Sequence, residues 1–394
     1  MSRLFTLTWK YLLHHRGKSA LLVLGLALVI LLPLVLQGLI RHYERDLMAR
    51  AEATPMVAGA RGDRFDLVVN SLYFAKAAPG ELPYGEAAAL RVTGRANVLP
   101  LLARHQAGGA PVVGTTLSYF KQRGLELAEG SLPLRLGDCV LGSAAATRLE
   151  LGPGDGLRSD QESMFDLTRY AVEMRVVGVL AERGTADDAA VFTDLRTAWV
   201  LDGHGHGHQD VDGMKDEPGA ILKTETTNNT TKVVAGEQLI RFQEFTAENL
   251  ASFHLHGAEA DLPLTSILVF PHSQKDADLL AANYNLSPER QVLDTRSVMS
   301  ELMSLVLKVK RWFNAIFAVF LVAMALFLGL VVLLSLRLRR GEMATMFKLG
   351  CARGTMVRLQ VLEWCLLLLA AFVLAAVLAF VVLAFAPDVR SLMG

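Results

Sequence analysis

The sequence predicts a helical membrane protein with three transmembrane helices and a large α+β extracytoplasmic domain inserted between helices 1 and 2. Three observations predict it. Residues 19–40, 312–336 and 364–387 contain no Asp, Glu, Lys or Arg, and each exceeds the roughly 20 residues needed to cross a hydrocarbon core about 30 Å thick. Lys and Arg collect beside these runs chiefly on one side, and the long segment between the first two runs alternates strand-like with helix-like patterns. Hydrophobic residues make up 52% of the chain and the mean hydropathy is +0.35, which excludes a wholly water-soluble globule. The 39 Lys and Arg balance 39 Asp and Glu. With no basic stripe interleaved with aromatics, nucleic-acid binding is excluded as well.

Residues 1–18 form an amphipathic start carrying Leu4, Phe5, Trp9, Tyr11 and Leu12, with Arg3, Lys10, Arg16 and Lys18 and no acid among them. That cationic excess places the N-terminus in the cytosol. The apolar run of residues 19–40 is longer than a signal-peptide core of about 7–15 residues and ends without a small-x-small site, so it reads as an uncleaved first span. Residues 41–294 are the extracytoplasmic α+β domain. Its strand-like runs are 65–69, 98–103, 111–114, 172–180, 190–192 and 267–270, chosen for β-branched content and flanking Gly or Pro. Helical patterns fall at 85–91, 118–124, 143–149 and 275–284. Residues 224–231, with the preceding 210–219, lack apolar periodicity and read as a mobile excursion.

Before the second span, Met299, Leu302, Met303, Val306 and Leu307 recur at the i, i+3, i+4, i+7, i+8 spacing of one helix face. Residues 295–311 are therefore either a stalk standing about 25 Å above the bilayer, at about 1.5 Å per residue, or an amphipathic helix packed on the domain's own core. Span two is residues 312–336, the cytosolic coupling loop is 337–361, span three is 362–387, and 388–394 form a tail on the outer side. Arg337, Arg339, Arg340, Lys348, Arg353 and Arg358 crowd the loop and fix it inside. Lys308, Lys310 and Arg311 lie on the far side, where cations at a helix end can snorkel.

Enzyme templates fail. Arg16-Gly17-Lys18-Ser19 resembles the end of a phosphate-binding loop, but Leu12 stands where that loop needs Gly. There is no HExxH and no GxSxG, the glycines of 152–156 read as a turn, and Asp187-Asp188 would point to opposite faces of a strand. Cys139, Cys351 and Cys365 offer no disulfide framework. The histidines are unusual. His204, His206 and His208 alternate, as do His254 and His256, and a spacing of two puts successive imidazoles on one face of an extended chain, a geometry suited to Zn²⁺. The alternative is a solvated polar loop whose glycines leave it too floppy for a closed site unless the two clusters meet.

The coupling loop carries the most specific pattern: a short helix with Met343, Met346, Phe347 and Leu349 on an apolar face among cations, a break at Gly350, and a second helix entering span three. Such a helix presents a knob to a cytosolic groove, or lies on anionic lipid. With Arg339, Glu342, Leu349, Gly350, Val357, Leu359 and Glu363 in order, it resembles the coupling region of FtsX-like permeases. These include the macrolide-efflux (MacB-type), lipoprotein-releasing and cell-division members of the mechanotransmitting ABC class. Short matches such as Val113-Gly114-Thr115-Thr116, Val140-Leu141-Gly142 and Val176-Val177-Gly178-Val179 are similar to that family's outer domain.

The resemblance implies a multi-pass inner-membrane permease subunit with no ATP site of its own. ATP and Mg²⁺ would be held by a cytosolic ABC ATPase docking on Arg339, Arg340, Glu342, Met343, Met346, Phe347, Leu349, Gly350 and Arg353. It also implies a homodimer or heterodimer of permease subunits in the lipid bilayer and a periplasmic partner for the outer domain. The family has four spans and this chain has three apolar runs, so the fourth is expected to be absent, truncated or supplied by a partner. Two other readings stay open: a zinc-handling or zinc-sensing component using the His tracts, and a membrane-anchored receptor without an ATPase.

Overall fold

The computed structural model describes residues 2–160, 172–207, 221–227, 230–235, 244–246, 248–338 and 340–385. The chain opens with α1 (Ser2–His14) and α2 (Arg16–Glu52), then β1 (Met56–Ala60), α3 (Arg64–Tyr73), β2 (Leu82–Pro83), α4 (Gly85–Val92), β3 (Ala96–Ala107) and β4 (Ala110–Thr115). It continues through α5 (Leu117–Arg123), β5 (Leu127–Gly130), β6 (Asp138–Leu141), α6 (Ser143–Leu149), β7 (Gly156–Arg158), β8 (Glu173–Leu180), β9 (Val191–Asp194), α7 (Leu195–Leu201) and β10 (Gly205–His206). Next come β11 (Ile221–Thr227), β12 (Thr230–Ala235), β13 (His254–Leu255), β14 (Pro263–Leu264), β15 (Ser266–Pro271), α8 (Gln274–Tyr284) and β16 (Arg290–Asp294). The last elements are α9 (Thr295–Leu338), α10 (Arg340–Lys348) and α11 (Arg353–Ala384).

Two units result, one of Met1–Arg45 with Met303–Asp388 and one containing Asp46–Leu302. The helices Arg16–Glu52, Arg311–Leu334 and Arg353–Ala384 are each long and apolar enough to cross a membrane. Helix α11 buries Leu367, Ala371, Ala375 and Ala379 along one stripe, and Ala371 and Ala375 meet Leu26 and Ala27 of α2. Small side chains every fourth residue let two helix backbones approach closely, the packing that works where lipid removes the hydrophobic drive. Helix α9 runs unbroken from Thr295, as the absence of Gly and Pro up to Leu328 predicts.

The α+β unit is built on a ten-stranded mixed sheet in the order β16-β1-β15-β3-β4-β9-β6-β8-β5, with β7 on β8. Within it β4 with β9 and β6 with β8 pair in parallel. One face is filled by Trp199, Leu102, Leu264 and Ile267 with α4 and α8, another by Tyr119, Phe192, Leu101 and Leu67.

The structure corrects several expectations. Residues 65–69 are helical, inside α3: Asp63 caps that helix by accepting hydrogen bonds from Phe65 N (2.8 Å) and Asp66 N (3.0 Å), and this local satisfaction outweighs the β preference of the adjacent valines. Residues 224–231 do not form a patternless excursion. Its described part lies in an antiparallel pair, Ile221↔Ala235 to Thr227↔Thr230, for which the Thr and Val content supplies the β-branched residues; 210–219 lie outside the described residues, as do 388–394. Asp187 and Asp188 sit in a 3-10 turn (Ala186–Ala189), not a strand. The glycines of 152–156 form the expected turn, closed by Gly152 N donating to Asp155 Oδ2 at 2.8 Å.

Candidate functional site

The connection between the second and third apolar helices contains the nine-residue α10. Phe347 is 51% exposed and Leu349, just beyond the helix, 81%, and Arg353 holds its guanidinium 5.3 Å over the Phe347 ring. Met346 is half-buried and Arg340 exposed. Gly350 ends the helix at φ +90°, with nothing near the place a Cβ would occupy. That left-handed residue lets Gly350 N donate to Phe347 O (3.0 Å) and Cys351 N to Met346 O (3.0 Å), closing the helix end before α11 starts. Arg339 and the side chains of Glu342 and Met343 lie outside the described residues.

On α9, Met299 packs with Val298 against Ala51 of α2 and Val68 and Leu72 of α3, with Leu302 beside them. The start of this helix is thus packed on the α+β core and does not stand as a bare stalk. Met303 is buried, and the side chains of Val306 and Leu307 lie outside the described residues. Thr295 N donates to Pro55 O (3.2 Å), and the Thr295 hydroxyl donates to Ala51 O (2.9 Å) and to Thr54 O. The ends of α2 and the start of α9 are therefore tied together inside the α+β unit.

A buried network anchors the same end of α2. Arg50 donates to both carboxylate oxygens of Asp187, at 2.7 and 2.8 Å, and to the Tyr119 hydroxyl (3.2 Å) and Leu72 O. It also lies 5.6 Å from the Phe74 ring centroid. Tyr119 donates to Asp187 Oδ1 at 2.6 Å. Burial alone pushes the Asp187 carboxyl up, but the charge and hydrogen bonds of Arg50 more than offset it and hold it at about 2. Burial, then the Asp187 charge, push the Tyr119 phenol up to about 12. Asp188, next in sequence, accepts from Gly184 N (2.8 Å) and Thr185 N (3.2 Å) and completes a capping box with Thr185. Sequence reading missed this network. The Thr-x-x-Asp spacing of that box was its one local sign.

The histidine tracts meet. Strands β10 and β13 pair antiparallel with His206 opposite His254, and His256 Nε2 lies 3.0 Å from His206 Nδ1. One ligand nitrogen from each of His206, His254 and His256 can be chosen with all three within 4.8 Å of one another. His204 is turned elsewhere: its Nε2 is 3.4 Å from Asp202 Oδ2. Asp202 also takes Arg104 (3.2 Å) and His105 (3.0 Å). Burial raises its carboxyl, yet His105 and Arg104 more than reverse that and the net shift is downward. His208 lies outside the described residues.

The family description MacB-like periplasmic core domain matches residues 20–236. Among solved structures, the periplasmic region of MacB from Actinobacillus actinomycetemcomitans is similar at 12% identity and TM-score 0.35, covering 65% of this chain and 97% of that one. The extracellular domain of the noncanonic ABC-type transporter YknZ from Gram-positive bacteria is similar at 12% identity and TM-score 0.32, covering 60% and 98%. No curated protein matches. The chain belongs to the MacB-like periplasmic core domain family, as a permease-type component of the MacB/FtsX-like ABC transporters.

Proposed function

We propose that this chain is the membrane subunit through which a separate cytosolic ABC ATPase moves an extracytoplasmic α+β domain, without an ATP site of its own. The observation that supports it most is α10: a short helix between two apolar helices, with Phe347 on it and Leu349 just after it exposed, among Arg337, Arg340, Lys348, Arg353 and Arg358. Exposed apolar anchors ringed by cations suit a protein groove with an acidic rim. The cationic excess there and in residues 3–18 orients the N-terminus and α10 to the cytosol and the α+β unit outward, across the inner membrane. Closure of an ATPase dimer would rock α10 and α11 about Gly350 and pull on α9. Because α9 is continuous into residues packed against Ala51, Val68 and Leu72, that pull would reach the α+β core without a flexible linker. Two such subunits on two ATPases, with an outer partner, would complete the assembly.

The test is reconstitution of the full chain with its co-purifying ABC ATPase. The Glu342→Ala, Phe347→Ala double substitution should abolish the stimulation of ATP hydrolysis by this chain while leaving its thermal unfolding unchanged. Undiminished stimulation defeats the assignment.

A further inference from the structure

We propose that His206, His254 and His256 form an exchangeable site for a divalent transition ion of Zn²⁺ type on the α+β unit. This does not rest on the permease reading. The antiparallel register makes His206 and His254 direct cross-strand partners, and His256, two residues beyond His254, returns to the same face of an extended chain. The resulting ring centroids are 4.9 Å (His206 to His254), 4.7 Å (His206 to His256) and 5.1 Å (His254 to His256) apart. Nitrogens each about 2.0–2.1 Å from one tetrahedral ion stand about 3.3 Å from one another. The 3.0 Å His206 Nδ1 to His256 Nε2 separation already approaches that spacing, and small rotations about the side-chain torsions bring in the third ring.

The trio is also pre-positioned. His254 Nδ1 lies 3.1 Å from Ser252 O; a carbonyl can only accept, so that nitrogen donates and Nε2 is the ring nitrogen that would serve as ligand, the arrangement that orients metal-bound imidazoles. The main chain is clamped as well, with His256 N donating to His204 O at 2.8 Å. The intervening glycines are there for close approach, not for slack. A Cβ on Gly205 would stand 2.7 Å from His254 O, and one on Gly207 2.7 Å from the Phe253 ring, itself stacked on Phe245 at 4.6 Å. These contacts remove the floppiness that the alternating glycines predict from sequence.

Three imidazole ligands select a borderline ion over Mg²⁺ or Ca²⁺. With His206 half-buried and His254 and His256 exposed, the fourth position is open to water or to a donor from another molecule, so the ion can be passed on.

The experiment is calorimetric titration of the full chain in detergent, purified without a polyhistidine tag, using Zn²⁺ and, separately, Mg²⁺. The expected result is one high-affinity Zn²⁺ per chain and no Mg²⁺ heat. His254→Ala with His256→Ala should weaken Zn²⁺ binding at least about tenfold, a loss of at least about 1.4 kcal/mol, while His204→Ala leaves it within about threefold. Co²⁺ should give the intense visible absorption of a four-coordinate site in the parent and not in the double variant. Cys139, fully buried in the sheet, reports folding: its thiol should stay protected from labelling in every variant. Unchanged Zn²⁺ binding in a folded double variant overturns the proposal. So does an equal loss on His204→Ala, which would assign the binding to the tract around residue 204 and not to the cross-strand trio.

Discussion

The Arg50 to Asp187 pair sets a large and specific stability prediction. Its side chains are 7% and 2% exposed, so neither can fall back on water if the other is lost. Removing one partner of such a pair leaves an unpaired buried charge and costs about 3–5 kcal/mol, although the intact pair adds far less against an apolar replacement. Arg50→Met should therefore raise the opening equilibrium of the α+β unit roughly 100- to several-thousand-fold. Cys139 lies on β6, between β9 and β8 in the sheet interior, where burial holds its thiol well above the usual range. Its modification rate, measured with Cys351 and Cys365 changed to Ser, reads that equilibrium in the full chain. The double variant Arg50→Met with Asp187→Leu should lie closer to the parent than Arg50→Met alone. A second readout is pH. The folded Asp187 carboxyl, at about 2, is below its unfolded value of about 3.9, so this contribution is fully present above about pH 5. It is lost as pH falls through about 2, a change of about 2.6 kcal/mol that Asp187→Asn should not show. Labelling within about threefold of the parent in Arg50→Met, under 1 kcal/mol, would refute the reasoning.

Gly142→Ala introduces a Cβ 2.3 Å from the main-chain oxygens of Asp187 and Asp188, at an ordinary φ of −65°. Its cost is thus a steric push on the turn that aims the Asp187 carboxylate. About 1–3 kcal/mol of destabilisation is expected, seen as faster Cys139 labelling. Gly350→Ala meets the reverse situation, open space at φ +90°. It should cost about 1–2 kcal/mol locally, leave the α+β unit untouched, and lower ATPase stimulation because the turn between α10 and α11 no longer holds its left-handed residue; unaltered stimulation would show that this turn does not set α10's pose.

What was legible in the sequence was what local pattern encodes. The charge-free runs, the unbroken start of α9 and the helix, glycine, helix order around Gly350 follow from composition and spacing within a few turns of chain. Strands such as β4 and β15 announce themselves by β-branched residues between Gly or Pro. Residues 65–69 mislead because their valines look like a strand while the decisive group, Asp63, stands outside the run. Arg50 and Asp187 are 137 residues apart, and no spacing rule relates them. In the histidine tracts the alternation was visible, but pairing of residue 206 with 254 depends on strand register, and His204 turns to Asp202, two residues earlier in the chain, whose burial beside Arg104 and His105 only the fold sets.

The hydroxyl of Thr295 offers the sharpest question about how α2 and α9 behave together. It donates to Ala51 O at 2.9 Å and is fully buried, one residue along from the Arg50 that grips Asp187. If these contacts form one cooperative block, loosening either must loosen both, since α2 cannot release its last turn from α9 and still present Arg50 in register. Thr295→Val, which leaves carbonyls at Ala51 and Thr54 without this donor, costs about 1–3 kcal/mol. Amide exchange should then accelerate roughly 5- to 150-fold over residues 51–56 and 295–299, and also over the 3-10 turn holding Asp187. Thr295→Ser, which keeps the hydroxyl, should restore protection at both places. Acceleration confined to the residues beside Thr295 would mean that α9 can shift against α2 without disturbing the Arg50 anchor, and a pull on α9 would then slip at this joint before it reached the sheet.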